Sequence, residues 1–276
     1  MTAPFRLAVA QPPGGLNGPG ERLRWLADGL PGLAERRVDL LLLPELFMTG
    51  YNIGDAVEAW SEPAGGPTAA AVRALARRHG VAIHYGFAER AGGRVYNAAQ
   101  CFGPDGGRLG GHRKLVLPPG FETGRFARGE GCGLFRLNGV TFATLICYDV
   151  EFPETVRHVA GRGAQVVLAP TALAAAWGWV ARVLIPARAY ENGVFLAYAN
   201  HAGTENGLAY LGESFVAAPD GEELARATAE PGIVFADLDV GRVSRAQTRL
   251  PYLVDRERLA RLGVHEQAGR RSERSA

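Results

Sequence analysis

Cys147 closes an apolar run, Val140 to Ile146, that starts after Gly139 and continues into Tyr148-Asp149-Val150-Glu151-Phe152-Pro153-Glu154. Val140, Phe142, Leu145 and Ile146 favour a buried strand, and Pro153 fits the first turn of a helix, with Glu154 near the positive end of its dipole. A thiol at the carboxyl end of a strand sits where open α/β folds place their chemistry. A free cysteine is also at home as a small core hydrophobe, so this stretch alone does not decide its role. Two more residues bear on it. Glu45 follows the continuous apolar run Asp39-Leu40-Leu41-Leu42-Leu43-Pro44, which reads as a strand buried on both faces, so a carboxylate stands at a second strand end unless it is only a solvated loop charge. Lys114 is the only lysine among 30 Lys+Arg residues. In a chain that uses arginine everywhere else, it is either a chance survivor or a position that needs a compact ammonium no planar guanidinium can imitate.

Together the three make an acyl-transfer site. Cys147 would attack as a thiolate. Glu45 would take its proton, hand one to the leaving amine and then activate water. Lys114 would lower the thiol's pKa and stabilise the oxyanion, helped by the backbone N–H of Tyr148.

The elements that must position these groups follow an α/β pattern. Residues 5–11 read as a first strand and 20–37 as an amphipathic helix carrying Leu23, Leu26, Leu30 and Leu33, with Gly29 and Pro31 placed to split it. After Glu45 the loop Leu46-Phe47-Met48-Thr49-Gly50-Tyr51-Asn52-Ile53-Gly54 is aromatic and glycine-rich, more a pocket wall than a linker. A helix runs from Thr68 to His79, a strand over 81–87, and hairpins through Val95–Phe102 and Arg108–Leu117, the second carrying Lys114. Beyond Cys147 the pattern gives a helix from Pro153 to about Gly161, a short buried strand over 165–172, a helix from Trp177 to Asn192 kinked at Pro186, strands over 194–200, 214–218 and 233–238, and a short helix over 255–263.

Composition bounds the rest. With 276 residues, 47% of them hydrophobic, and a net charge of +2, the chain suits one large α/β domain and gives no reason to invoke nucleic acid or a membrane. The N-terminal stretch lacks the character of a signal peptide. The cysteines, Cys101, Cys132 and Cys147, are odd in number and widely spaced, so reduced thiols in a cytoplasm are expected. No CxxC or HExxH spacing points to a metal, and no glycine-rich turn has a P-loop or dinucleotide form. None of the six histidines pairs evidently with Cys147; His201, just after a strand end, is the one to watch.

Leu43-Pro44-Glu45, His112-Arg113-Lys114 and Leu145-Ile146-Cys147-Tyr148-Asp149 resemble, in order and separation, the three catalytic motifs of the nitrilase superfamily of carbon–nitrogen hydrolases. The resemblance covers residues 1–264 as one domain and leaves 265–276 as a frayed tail. It implies a four-layer α-β-β-α sandwich and a Glu45-Lys114-Cys147 triad supported by a second glutamate, which Glu122 matches by position. It also implies no metal and no organic cofactor, and a homodimer or larger assembly.

Within the superfamily the chain looks most like the aliphatic amidase branch that includes 5-aminopentanamidase, through Thr49–Gly54, Cys147–Glu154, Arg188-Ala189-Tyr190-Glu191-Asn192 and Pro251-Tyr252-Leu253, with Glu151 where many members carry arginine. The substrate so implied is a small linear primary amide, released as carboxylate and ammonia through a thioester, with a distal amino or guanidino group as in 5-aminopentanamide. Tyr51, Thr171 and Trp177 are the substrate-binding candidates; core packing is the alternative for Tyr51, Trp177 and above all Trp179. Pro118-Pro119-Gly120-Phe121 and the small apolar run Ala172–Trp179, with its two tryptophans, depart from the family's pattern around the pocket. A nitrilase or an N-carbamoyl-amino-acid hydrolase would use the same triad, the latter needing an arginine such as Arg125 or Arg188 for a carboxylate. A binding protein on an inactive scaffold is disfavoured by the complete triad.

Overall fold

A computed structural model describes residues 4–259. The tail from His265 and the domain limit at residue 264 lie outside the described residues. The chain runs through strand β1 (Phe5–Gln11), helix α1 (Gly18–Glu35), β2 (Leu40–Leu42), a short turn of helix α2 (Ala56–Ala59), α3 (Pro67–His79), β3 (Ala82–Ala91), β4 (Arg94–Phe102) and β5 (Arg108–Arg113). The second half follows with β6 (Leu134–Leu137), β7 (Val140–Thr144), α4 (Tyr148–Glu151), α5 (Pro153–Gly161), β8 (Val166–Pro170), α6 (Ile185–Asn192), β9 (Phe195–Ala199), β10 (Thr204–Glu205), β11 (Leu208–Ala209), β12 (Phe215–Ala217), β13 (Glu223–Arg226), β14 (Gly232–Leu238), α7 (Gly241–Arg249) and α8 (Tyr252–Leu259).

Two six-stranded sheets result, ordered β14-β1-β2-β3-β4-β5 and β13-β12-β9-β8-β7-β6, each with three parallel strands at its centre and antiparallel strands at both sides. The period-2 alternation of side chains decides what each sheet covers. In β1, Leu7 and Val9 meet Phe142, Val166, Leu168 and Phe195 in a core between the sheets, while Ala8 and Ala10 face Leu26, Leu30, Val72 and Ala76 of α1 and α3. In the second sheet Ala143, Val167, Leu196 and Tyr198 face Val156, Val159, Ile185 and Ala189 of α5 and α6. Both central sheets are thus buried on both faces, which is why their strands read as unbroken apolar runs. The layers are helix, sheet, sheet, helix, as the sequence implied.

Several elements differ from their sequence reading. Helix α1 is unbroken, because Pro31 lies on its exposed side, where the missing N–H and the ring meet solvent. The stretch after Trp177 is not one helix: a 3₁₀ turn (Ala175–Trp177) and a π-helical turn (Val180–Leu184) lead into α6, with Pro186 in its first turn, where its lack of an N–H costs least. The last helix begins earlier than expected, at Tyr252. Strands β10, β11 and β13 carry no periodic signal long enough to read. Among the described residues no helix is long and apolar enough to cross a membrane.

Gly86 of β3 lies against the turn that presents Glu45: a Cβ there would stand 2.4 Å from the Leu46 nitrogen and 2.6 Å from the Pro44 carbonyl oxygen. Backbone cannot yield as a flexible side chain can. Gly86→Ala is expected to destabilise the fold by about 1–3 kcal/mol and to displace the Glu45 turn. A thermal melt read beside amide turnover checks this: activity should fall at temperatures where the variant is still folded.

Candidate active site

Parallel β2 and β7 end on the same side of the two facing sheets. Past β2 the chain turns at Leu46 with φ +48°; past β7 it turns at Cys147 with φ +46° and ψ −104°. Both angles are unusual for residues with a Cβ and hold about 1–3 kcal/mol of strain each, sustained by the surrounding packing. Cys147 is held by its N–H donating to the Pro170 carbonyl at 2.9 Å, and it packs on Ala99 and Ile146. Tyr148 is the first residue of α4, so its N–H lacks a partner within that turn.

Lys114 follows β5, its N–H bonded to the Asn97 carbonyl at 2.8 Å. Its ammonium is fully buried and donates to Glu45 Oε1 at 2.7 Å and to Glu122 Oε1 at 2.5 Å. The Asn97 amide bridges the same carboxylates, 2.7 Å from Glu45 Oε1 and 3.3 Å from Glu122 Oε2. Tyr51 donates its hydroxyl to Glu122 Oε1 at 2.9 Å. Glu45 Oε2 is buried with no hydrogen-bond partner. One carboxylate oxygen is therefore clamped and the other is free to take a proton.

Asp149 joins the cysteine turn to the lysine segment. Its carboxylate accepts the Leu115 and Val116 N–H groups at 3.0 and 2.9 Å, the Ile146 N–H at 3.2 Å and the His112 ring at 2.9 Å. A single buried acid thus fixes Cys147 relative to Lys114, a role invisible in the motif itself.

The charges act on one another. Burial first, then Glu45, pushes the Glu122 carboxyl up to about 7, against the pull of Lys114. Burial alone would lower Lys114, but Glu45, Cys147 and Glu122 together raise it, so it stays an ammonium. The sequence reading had Lys114 lowering the thiol's pKa. It does pull in that direction, yet burial and then Glu45 outweigh it, and the Cys147 thiol lies well above its ordinary value. Cys147 rests as a neutral thiol that would need a base to react, and Glu45 Oε2 is the unpartnered acceptor in the cluster.

Tyr51, Glu45, Lys114, Glu122 and Cys147 are brought together. Thr171 is buried directly after β8, next to the Pro170 carbonyl that holds Cys147. Trp177 is not core: it is 63% exposed, as Trp179 is at 66%, and neither ring makes an aromatic or cation–π pair among the described residues. Both arginines considered for a substrate carboxylate are engaged. Arg125 pairs with Asp55 at 2.6 Å and lies over Phe121; Arg188 binds Glu191 at 2.9 Å and the Glu151 carbonyl at 2.8 Å. His201 is buried, its pKa lowered to about 4 by burial and then by Arg22. It is therefore neutral, and its ring Nε2 donates to the Glu45 carbonyl at 2.9 Å. Asn97 had no signal in the sequence, and Asp149 shows there only as part of the cysteine motif, because each acts across a separation only the fold closes.

Residues 6–248 match the carbon-nitrogen hydrolase family. The chain belongs to that family. It is 42% identical over 221 residues to "Hydrolase in pqqF 5'region" of Pseudomonas protegens, covering 79% of this chain and 78% of that one. It is 35% identical to an (R)-stereoselective amidase of a Pseudomonas species, over 79% of each chain. Among solved structures, an amidase of the nitrilase superfamily from Nesterenkonia superposes with a TM-score of 0.81 at 33% identity, over 95% of this chain and 97% of that one. A variant of that amidase carries the acetamide moiety of fluoroacetamide covalently on its active-site cysteine. This carbon–nitrogen hydrolase therefore has the nitrilase-superfamily fold that its motifs implied.

Proposed function

We propose that the protein is an amidase that hydrolyses a small linear primary amide through a thioester on Cys147. The observation that carries this is the clamped cluster: Lys114 between Glu45 and Glu122, with Glu45 Oε2 unpartnered beside a neutral buried thiol. In the first half-reaction Glu45 takes the thiol proton as the sulfur bonds to the amide carbon, and the carbonyl electrons move to oxygen. The third N–H of Lys114 and the Tyr148 N–H stabilise that oxyanion. Collapse breaks the C–N bond, and Glu45 returns the proton to the leaving ammonia. In the second, Glu45 takes a proton from water as its oxygen attacks the thioester; the carboxylate leaves and the thiol is reprotonated.

The finer reading is a substrate with a distal cation, such as 5-aminopentanamide, and Glu151 supports it. Glu151 ends the helical turn that Cys147 begins. Its carboxylate is half-buried, accepts no hydrogen bond among the described residues, and is raised by burial against the pull of Lys114 and Arg188. Arg188 directs its N–H groups elsewhere, so the anion is left for a substrate ammonium. Arg188 is engaged, and Arg125 pairs with Asp55 while keeping a buried Nε without a partner, so a carbamoyl amino acid has the weaker support. Ammonia release from 5-aminopentanamide, 4-guanidinobutanamide, pentanamide, pentanenitrile and a carbamoyl amino acid tests both levels. The cationic amides should lead, and Glu151→Gln should cut their advantage over pentanamide about tenfold, the worth of one charged hydrogen bond. Turnover of neutral amides alone would discard the cationic tail and keep the amidase; turnover of the nitrile or carbamoyl compound alone would discard both.

The three free cysteines fit a cytoplasmic setting, and the exposed Trp177, Trp179, Tyr190, Tyr252 and Val254 support a homo-oligomer.

A further inference from the structure

Glu205, on the short β10–β11 hairpin, is nearly fully buried 154 residues away in sequence from the loop it binds. Its Oε1 accepts from Arg22 of α1 at 2.9 Å, and that arginine side chain is itself wholly buried. Its Oε2 accepts the Tyr51 N–H at 3.0 Å, the Asn52 N–H at 2.6 Å and the Tyr210 hydroxyl at 2.5 Å. Asn52 and Asn206 then exchange side-chain bonds with each other's backbone carbonyls, at 3.1 and 2.8 Å, closing the hairpin onto the Tyr51 loop. Gly50 must be glycine here: its φ is +99°, and a Cβ would stand 2.5 Å from Glu205 Oε1.

Two chains of contact lead from this carboxylate to the reacting cluster. One runs through the Tyr51 backbone to the Tyr51 hydroxyl and Glu122 Oε1. The other runs through Tyr210, whose ring packs 5.0 Å from that of His201, to the His201 N–H on the Glu45 carbonyl. A buried ion pair is weak support for stability, because desolvation offsets the attraction. A bond set that reaches the Glu122 carboxylate and the Glu45 backbone carbonyl has another use.

We propose that Glu205, paired with Arg22, is a positioning residue that sets the placement of Glu122 through Tyr51 and of the Glu45 backbone through Tyr210 and His201. This rests on the amidase reading only for its turnover readout. An uncharged amide at position 205 cannot accept from both the guanidinium and the three donors on Oε2. The Tyr51 loop is then released and the Glu45–Glu122 geometry loosens. A shift on the order of 1 Å at reacting groups is enough for about a 100-fold loss in rate.

The test compares the parent protein, Glu205→Gln, Tyr51→Phe and the double variant. Two measurements are made: amide kcat and KM, and the pH profile of Cys147 alkylation by iodoacetamide, followed on the Cys147 peptide by mass spectrometry. Glu205→Gln should lower kcat about 10- to 100-fold with little change in KM and displace the alkylation profile. The double variant should lose less than the product of the two single losses, because both act on Glu122. Parental kcat and profile in folded Glu205→Gln, or strictly multiplicative losses, overturn the proposal. If Glu205→Gln does not fold, Tyr210→Phe decides, since it removes one donor and leaves the ion pair: a displaced profile supports positioning and a parental one overturns it. Alkylation needs no substrate. A displaced profile in a protein whose parent hydrolyses no amide keeps this inference and sinks the amidase reading; an active parent with an unchanged Glu205→Gln does the reverse.

Discussion

Cys147→Ala is expected to abolish amide turnover, by at least about 10⁴-fold, with the fold intact. The size follows from the absence of a substitute. Cys101 is buried in the inter-sheet core, where burial drives its pKa far above the ordinary value, and Cys132 lies partly buried outside the Glu45–Lys114–Glu122 cluster. Cys101 faces the buried His84 across the strand pair and Cys132 feels Asp149, but neither is coupled to Glu45, Lys114 and Glu122 as Cys147 is. The unusual backbone angles belong to the turn, not to the sulfur, and alanine carries the same Cβ. The thermal midpoint should therefore move little, within the range of an ordinary substitution at a small buried residue. Intact-mass spectrometry after brief exposure to substrate separates this from a merely slow enzyme. The parent should show an acyl adduct and Cys147→Ala none. Turnover above about 1% in the variant would transfer the nucleophile's role elsewhere, Cys132 being the first to examine.

The three clustered candidates are legible because each is marked by something local: Cys147 and Glu45 by the ends of buried runs, Lys114 by being the only lysine. Two stacked sheets flanked by helices follow once those runs are apolar on both faces. The errors share a cause. Pro31 and Pro186 read as breaks because the sequence shows neither which side of a helix meets solvent nor that a new helix starts just before Pro186. Trp177 and Trp179 offer aromatic faces for a cation or bulk for a core, and their exposure rules out the core. Lys114 pulls the thiol down as its motif suggests, but burial and the two carboxylates, which no motif displays, outweigh it. Asp149 shows the same limit: it reads as part of the cysteine motif, yet its work is to accept the N–H groups of Leu115 and Val116, more than thirty residues earlier.

Lys114→Arg should lower kcat about 10³-fold, although charge is conserved. The ammonium occupies a site with no exposure, between carboxylate oxygens at 2.7 and 2.5 Å. Its three protons point tetrahedrally, two at Glu45 and Glu122, leaving the third for the oxyanion. A guanidinium is flat and wider. Its donors lie in one plane, so satisfying both carboxylates directs the remaining N–H groups into that plane and drives its carbon into the volume held by Asn97 and Tyr51. Overpacking of this kind costs about 1–3 kcal/mol, which the fold should survive. Lys114→Met provides the complement. It removes the one charge that pulls Glu122 and the thiol downward, so both should titrate at higher pH than in the parent, and two buried carboxylates lose their cation at a cost of about 3–5 kcal/mol. The alkylation profile of Cys147 in Lys114→Met should accordingly move to higher pH. Near-parental kcat in Lys114→Arg would show that any buried cation suffices, and that the solitary lysine is an accident of composition.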